Sequence, residues 1–304
     1  MTEKRSFVIG ADIGGTYLRI GGVDQDNRLV CFQKVPVGEV FSSGDALLDL
    51  KNYLLKYIRQ PEFEGEIKAI GMGFPATLNR ERTVVVQAPN IPYMENLPIT
   101  DYLQKELSFP VFSEKDVNLT LLYDKDYYRI SDEGILVGCY FGTGIGNAIL
   151  INGRLLKGKD GAAGELGHMK VWGSEEPCGC GNKGCLENLA GGKYLAKLCR
   201  EQYSGTPIEQ IFEKHGKEPL LQEFVKRMAI AVSSEINILN PDHVILGGGV
   251  LAMKDFPVSY LTEKIYEYTR KPYPAASLSL IFSKEEKTKT VSGAASYARR
   301  QISE

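Results

Sequence analysis

The alternation of apolar and polar positions sets out strands before it sets out any helix. Residues 7–11 form a short apolar run ending in Asp12-Ile13-Gly14-Gly15-Thr16; residues 17–23 and 29–35 follow, with Asp24-Gln25-Asp26-Asn27 turning between them. This predicts a three-strand meander. Its glycines are not a dinucleotide fingerprint, because that motif opens a helix and Leu18-Arg19-Ile20-Gly21 continues as strand. Leu47, Leu50, Leu54 and Ile58 recur at helical spacing behind Ser43 and Asp45, one of which should cap the helix. Residues 67–74 then read as a buried strand.

Residues 134–157 repeat the opening. An apolar strand at 135–141 leads into Gly142-Thr143-Gly144, a second strand at 146–151, the Asn152-Gly153 hairpin turn and a short run at 154–157. Residues 9–16 align with residues 137–144, as two related domains require. Farther on, Leu221, Val225, Met228, Val232, Ile236 and Leu239 share one face of a long helix stopped by Asn240-Pro241. Val244-Ile245-Leu246 then runs into Gly247-Gly248-Gly249, a third glycine turn at the carboxyl end of a strand, where α/β folds bind ligands. Three such turns point to a nucleotide held from several sides. The match of Gly153 to Lys159 with a P-loop fails, since Asp160 stands where Ser or Thr is needed and a hairpin precedes it.

With 304 residues, 43% of them hydrophobic, the chain has room for two domains with separate cores. A formal net charge of −2 without a basic run argues against nucleic acid as a partner. The first apolar run is too short for a signal-peptide core and nothing approaches a membrane span, so a cytoplasmic protein without a membrane partner is expected.

The richest stretch is GELGH followed, after nine residues, by CGCGNKGCLE. Cys178, Cys180 and Cys185 are interleaved with glycines that let the backbone turn three sulfurs inward, and His168 offers a fourth ligand. Three thiolates and an imidazole form a closed tetrahedral shell, so the expected metal is a structural Zn²⁺ with no open position for hydrolytic chemistry. Glu165 and Glu187 flank it. At the other glycine turns, backbone N–H groups can approach phosphate closely. Asp12 beside phosphates needs a cation between, which implies Mg²⁺ held through water.

DIGGT, GTGIG, GELGH, CGCGNKGCLE and GGGV, in this order, resemble the ROK family of bacterial sugar kinases and repressors over nearly the whole chain. The zinc motif is the most specific of these, since the wider actin and hexokinase superfamily shares DxGGT. The resemblance implies an α/β protein of two ribonuclease-H-like domains, of the actin and hexokinase ATPase type, with ATP and sugar in an interdomain cleft. The expected smaller domain is residues 1–117 with about 290–304, and the larger, with the zinc loop, is 118–289. The family's catalytic aspartate falls in Lys115-Asp116-Val117-Asn118 and makes Asp116 the general base, with a second role open to it as helix N-cap. By the same resemblance Asn90, Glu165, His168 and Glu187 bind sugar hydroxyls, and Asp12, Gly14, Gly15, Thr16, Gly142, Thr143, Gly144, Gly247 and Gly248 bind the nucleotide. Two carboxylates near the sugar disfavour an acidic sugar. Homodimers are a family expectation.

Two positions depart from the family pattern: Lys115 replaces a common Asn and Ala76 a common Gly. With MGFPA, PNIP and DVNL, the basic residue before Asp116 resembles the D-allose kinase branch. The expected activity is therefore phosphorylation of a hexose at C6, D-allose foremost, with Lys115 as the specificity residue. The alternatives are a glucokinase or another hexose or N-acetylhexosamine kinase, and a sugar-responsive repressor. Such repressors carry a winged-helix domain ahead of DxGGT, whereas Asp12 here lies close to the first residue.

Overall fold

The meander forms as β1 (Ser6–Ile13), β2 (Tyr17–Asp24) and β3 (Leu29–Pro36), paired antiparallel. β4 (Glu66–Phe74) adds parallel to β1. A small hairpin follows, β5 (Thr77–Leu78) with β6 (Val85–Gln87), and β7 (Val111–Lys115) then pairs parallel with β4. The five-stranded order is β3-β2-β1-β4-β7. The structure, a computed structural model, describes residues 5–303, so the outermost residues of the expected smaller domain lie outside it.

β1 is buried from Phe7 to Ile13 because both of its faces are covered. Phe7, Ile9, Ala11 and Ile13 join a core with Leu50, Leu54 and Tyr57 of the helix Ala46–Ile58 and with Leu103 and Leu107 of the helix Ile99–Leu107. Val8 packs on the other side with Ala295 and Ala298 of the helix Lys289–Gln301. Asp45 caps the first of these helices, accepting from the Leu48 N–H at 3.0 Å.

The second sheet repeats the first. β8 (Ile135–Phe141), β9 (Ile145–Ile151) and β10 (Arg154–Leu155) form its antiparallel part, β11 (His243–Gly247) runs parallel to β8, and β12 (Leu280–Phe282) parallel to β11. The order β10-β9-β8-β11-β12 matches the first sheet strand for strand. Its core is the apolar face of the helix Pro219–Leu239, with Phe224, Met228, Val232 and Ile236 against Val137, Phe141, Val244 and Leu246. That helix ends with Asn240 in the left-handed conformation.

By internal contacts the chain divides into one unit of Met1–Ile130, Lys157–Ala163 and Glu286–Glu304, and another of Ser131–Leu156 and Gly164–Glu285. The first boundary falls beyond the expected 117 because the helix Asp116–Tyr127 packs on the carboxyl-terminal helix: Lys289 Nζ lies 2.8 Å from Asp124 Oδ1, both nearly enclosed. β10 ends at Leu155, two residues short of the run expected at 154–157, and residues 157–163 belong with the first unit. Among the described residues no helix is long and apolar enough to cross a membrane.

Candidate functional site

In the first unit the parallel register brings strand ends into one row. Asp12 pairs across to Arg19 on β2 and to Gly73 on β4, and Phe74 to Lys115 on β7. The chain turns into a helix directly after Lys115, so Asp116 stands at the carboxyl end of the sheet. Lys115 holds the N-cap position and Asp116 is the first helical residue, one place later than the capping role expected of it. Its Oδ1 still accepts the Val117 N–H at 2.7 Å. Burial, and next the charge of Asp12, push the Asp116 carboxyl up to about 7, outweighing the Val117 amide and Lys115. Asp12 is itself 9% exposed, and its Oδ2 lies 2.8 Å from Arg19 Nη1. Burial raises its pKa more than Arg19 lowers it.

The Gly14–Thr16 turn touches the loop that carries Asn90: a Cβ on Gly15 would sit 2.7 Å from the Asn90 carbonyl oxygen. Asn90 is exposed. Lys115 is 7% exposed, and its Nζ donates to the Ala163 carbonyl at 3.3 Å. Glu114, a conceivable partner for its ammonium, instead pairs with Arg82 Nε at 2.8 Å.

In the second unit the Gly142–Gly144 turn is seated on the start of the helix Gly192–Gln202, with Gly142 and Thr143 carbonyls each accepting an amide, from Gly192 and Lys193, at 2.9 Å. Glu187 lies over this turn so closely that any Cβ on Gly144 would run into its carboxylate. The third glycine turn folds back on β8, where the Val250 N–H donates to the Phe141 carbonyl at 2.9 Å. Gly142, Thr143, Gly144, Glu187, Gly247 and Gly248 thus surround one end of the second sheet.

His168, Cys178, Cys180 and Cys185 place one donor atom each within 4.8 Å of all the others. A tetrahedral zinc with ordinary bond lengths would separate two sulfurs by about 3.8 Å and a sulfur and a nitrogen by about 3.6 Å. The structure has 3.6 Å between Cys180 and Cys185 Sγ, and 3.6 Å between Cys178 Sγ and His168 Nδ1. The donor set and its spacing fit a structural Zn²⁺. His168, expected as both metal ligand and sugar contact, has Nδ1 facing the sulfurs and Nε2 3.7 Å from Glu165 Oε2. Metal on Nδ1 would fix the proton on Nε2.

Two residues of this region escaped sequence reasoning: Arg19 and Arg82. The Arg19 contact was readable in principle, because a two-residue turn beyond Asp12 and Ile13 fixes which β2 residue faces Asp12. Arg82 sits in a short hairpin whose pairing carried no clear alternation.

The ROK family profile matches residues 8–301. A glucokinase of Thermotoga maritima is 30% identical over 316 aligned positions, covering 97% of this chain and 98% of that protein. A xylose repressor of Caldicellulosiruptor bescii is 28% identical over 79% of this chain and 65% of its own length. Among solved structures, a ROK family glucokinase from Streptomyces griseus, in complex with glucose and AMPPNP, superposes with a TM-score of 0.78 at 22% identity, covering 97% of this chain and 99% of its own. The match across nearly the whole chain, with the glycine turns and the Cys/His cluster in place, shows that the protein belongs to the ROK family.

Proposed function

We propose that the protein is an ATP-dependent hexose kinase that phosphorylates the C6 hydroxyl, with D-allose as its preferred sugar. The observation that carries the kinase reading is Asp116: a carboxyl at the carboxyl end of β7, beside Asp12, with a pKa of about 7. That value suits a base working near neutrality. In this reading Asp116 takes the proton of the C6 hydroxyl as its oxygen bonds to the γ-phosphorus, the bond from that phosphorus to the β,γ-bridging oxygen breaks, and ADP leaves. MgATP is the second substrate, with Asp12 facing its magnesium and the amides of the three glycine turns facing its phosphates. Asn90, Glu165, His168 and Glu187 hydrogen-bond the sugar hydroxyls. The structural zinc would supply no chemistry and would hold His168 and the loop between Glu165 and Glu187 in shape.

D-allose and glucose differ in the direction of one hydroxyl, at C3. Lys115 supports the D-allose reading because it presents only donors where an Asn would present donor and acceptor. The likeness to a glucokinase favours glucose as the second candidate. ATP consumption measured across D-allose, glucose, mannose and N-acetylmannosamine separates these readings. D-allose should give the highest kcat/KM, and Lys115→Asn should shift the allose-to-glucose ratio by about ten-fold or more toward glucose. Glucose preferred by the wild type would replace the substrate and keep the kinase. No turnover with any sugar would favour the regulatory role of the repressor relative.

The acid limb of kcat/KM should rise through about pH 7 as Asp116 loses its proton. Asp12→Asn removes the charge that lifts this pKa, so the limb should move to lower pH, while Mg²⁺ dependence weakens. A limb that stays in place in Asp12→Asn would mean that the titrating group is not Asp116.

A further inference from the structure

We infer that the buried pair Arg82–Glu114 is a positioning device that fixes residues 157–163 and, through them, the point from which the chain runs to Glu165. This rests on the hexose kinase reading above. Arg82 is 3% exposed and holds the left-handed backbone conformation, with φ +63°, at the turn of the β5–β6 hairpin. Its guanidinium joins three pieces of chain. Nη1 donates to the Leu78, Asn79 and Gly161 carbonyls at 3.3, 3.2 and 2.8 Å, and Nε lies 2.8 Å from Glu114 Oε1 at the end of β7.

Glu114 is fully buried. Its Oε1 accepts the Lys115 N–H and the Asn118 amide, each at 2.9 Å; among the described residues Oε2 and Arg82 Nε are both buried without a hydrogen bond, so Arg82 and Glu114 meet as a close charge pair. Such a pair is a poor source of stability, since apolar side chains of similar volume commonly replace buried ion pairs at no loss. What an apolar pair cannot do is hold the Gly161 carbonyl. The backbone is pressed onto the guanidinium there: Gly161 has φ +81°, and a Cβ on it would lie 2.7 Å from Arg82 Nη1 and 2.5 Å from the Leu78 oxygen. Two residues on, Lys115 Nζ holds the Ala163 carbonyl. Two buried cations anchored on or beside β7 thereby grip alternate carbonyls of the segment that ends two residues before Glu165.

The test separates positioning from stability by comparing Arg82→Met, Glu114→Leu and their double variant in the full-length protein. Each single change strands a buried charge and should lower the thermal midpoint. The double variant should recover much of the midpoint lost in the single variants, yet keep a KM for sugar raised about ten-fold or more with the KM for ATP within about two-fold. Arg82→Lys, which keeps the charge but cannot span Gly161 and Glu114 together, should raise the sugar KM at a near-normal midpoint. A double variant, or Arg82→Lys, with wild-type sugar KM would overturn the proposal, as would equal rises for sugar and ATP. Should the wild type consume no ATP, the kinase reading fails separately, and calorimetric titration with D-allose and with glucose applies the same comparison to affinity.

Discussion

Asp116→Asn should lower turnover by about 10² to 10⁴-fold, the usual contribution of a positioned base, and leave nucleotide affinity nearly unchanged. The same substitution should make the protein more stable at neutral pH. In the folded state the Asp116 carboxyl titrates at about 7, above its ordinary value of 3.8, so folding favours the protonated form. The advantage is complete below pH 3.8 and is lost as pH rises to about 7, where the buried site must hold a charge. At and above pH 7 this costs on the order of 2–4 kcal/mol. An amide carries no charge, so the thermal midpoint of Asp116→Asn should exceed that of the wild type by a few degrees at pH 8 and match it near pH 4. Single-turnover kinetics and a melting series across pH check both halves. Wild-type turnover in Asp116→Asn would end the general-base assignment, and a midpoint difference independent of pH would end the electrostatic account.

Removal of the metal should be the second large effect. Structural zinc contributes apparent binding free energies of about 10–16 kcal/mol in isolated fingers, and here that energy would go into ordering one loop. Elemental analysis should find one zinc per chain. Chelation should accelerate proteolytic cleavage within residues 164–187 by ten-fold or more and abolish sugar binding, while the apolar core beneath, built on the helix Pro219–Leu239, stays folded. The chain's single tryptophan, Trp172, lies on this loop and is 99% exposed, so its fluorescence anisotropy should fall as the loop loosens. Sugar phosphorylation at full rate by a protein shown to be metal-free would sink the staple.

Periodicity carried the strands well, because β1, β4 and β8 are buried over most of their length and so appear as mainly apolar runs. The duplication was legible from one aligned octet, and the matching strand orders bear it out. Spacing and interleaved glycines carried the Cys/His cluster, whose donors do converge. What was not legible was set by contacts distant in sequence. The helix Asp116–Tyr127 has almost no amphipathic pattern, with Asp124 and Lys125 buried, because it is enclosed by the carboxyl-terminal helix as well as by the sheet. The domain boundary therefore could not be read there. The side-chain partners around Lys115 were not legible either: its Nζ donates to the Ala163 carbonyl, and Arg82, remote in sequence, takes Glu114.

The carboxyl-terminal helix also sets an order of events during synthesis. Lys289–Gln301 supplies Val291, Ala294, Ala295 and Ala298 to the buried face of a sheet made from the first residues of the chain. The opening strands leave the ribosome first, yet one of their faces stays wet until the helix Lys289–Gln301 clears the exit tunnel. β8, β9 and β11 leave well ahead of it and can pair beforehand, while β12 emerges only a few residues earlier than the helix. The half made first is finished last, and in the interval its bare β-sheet face is a surface for chaperones or for misassociation.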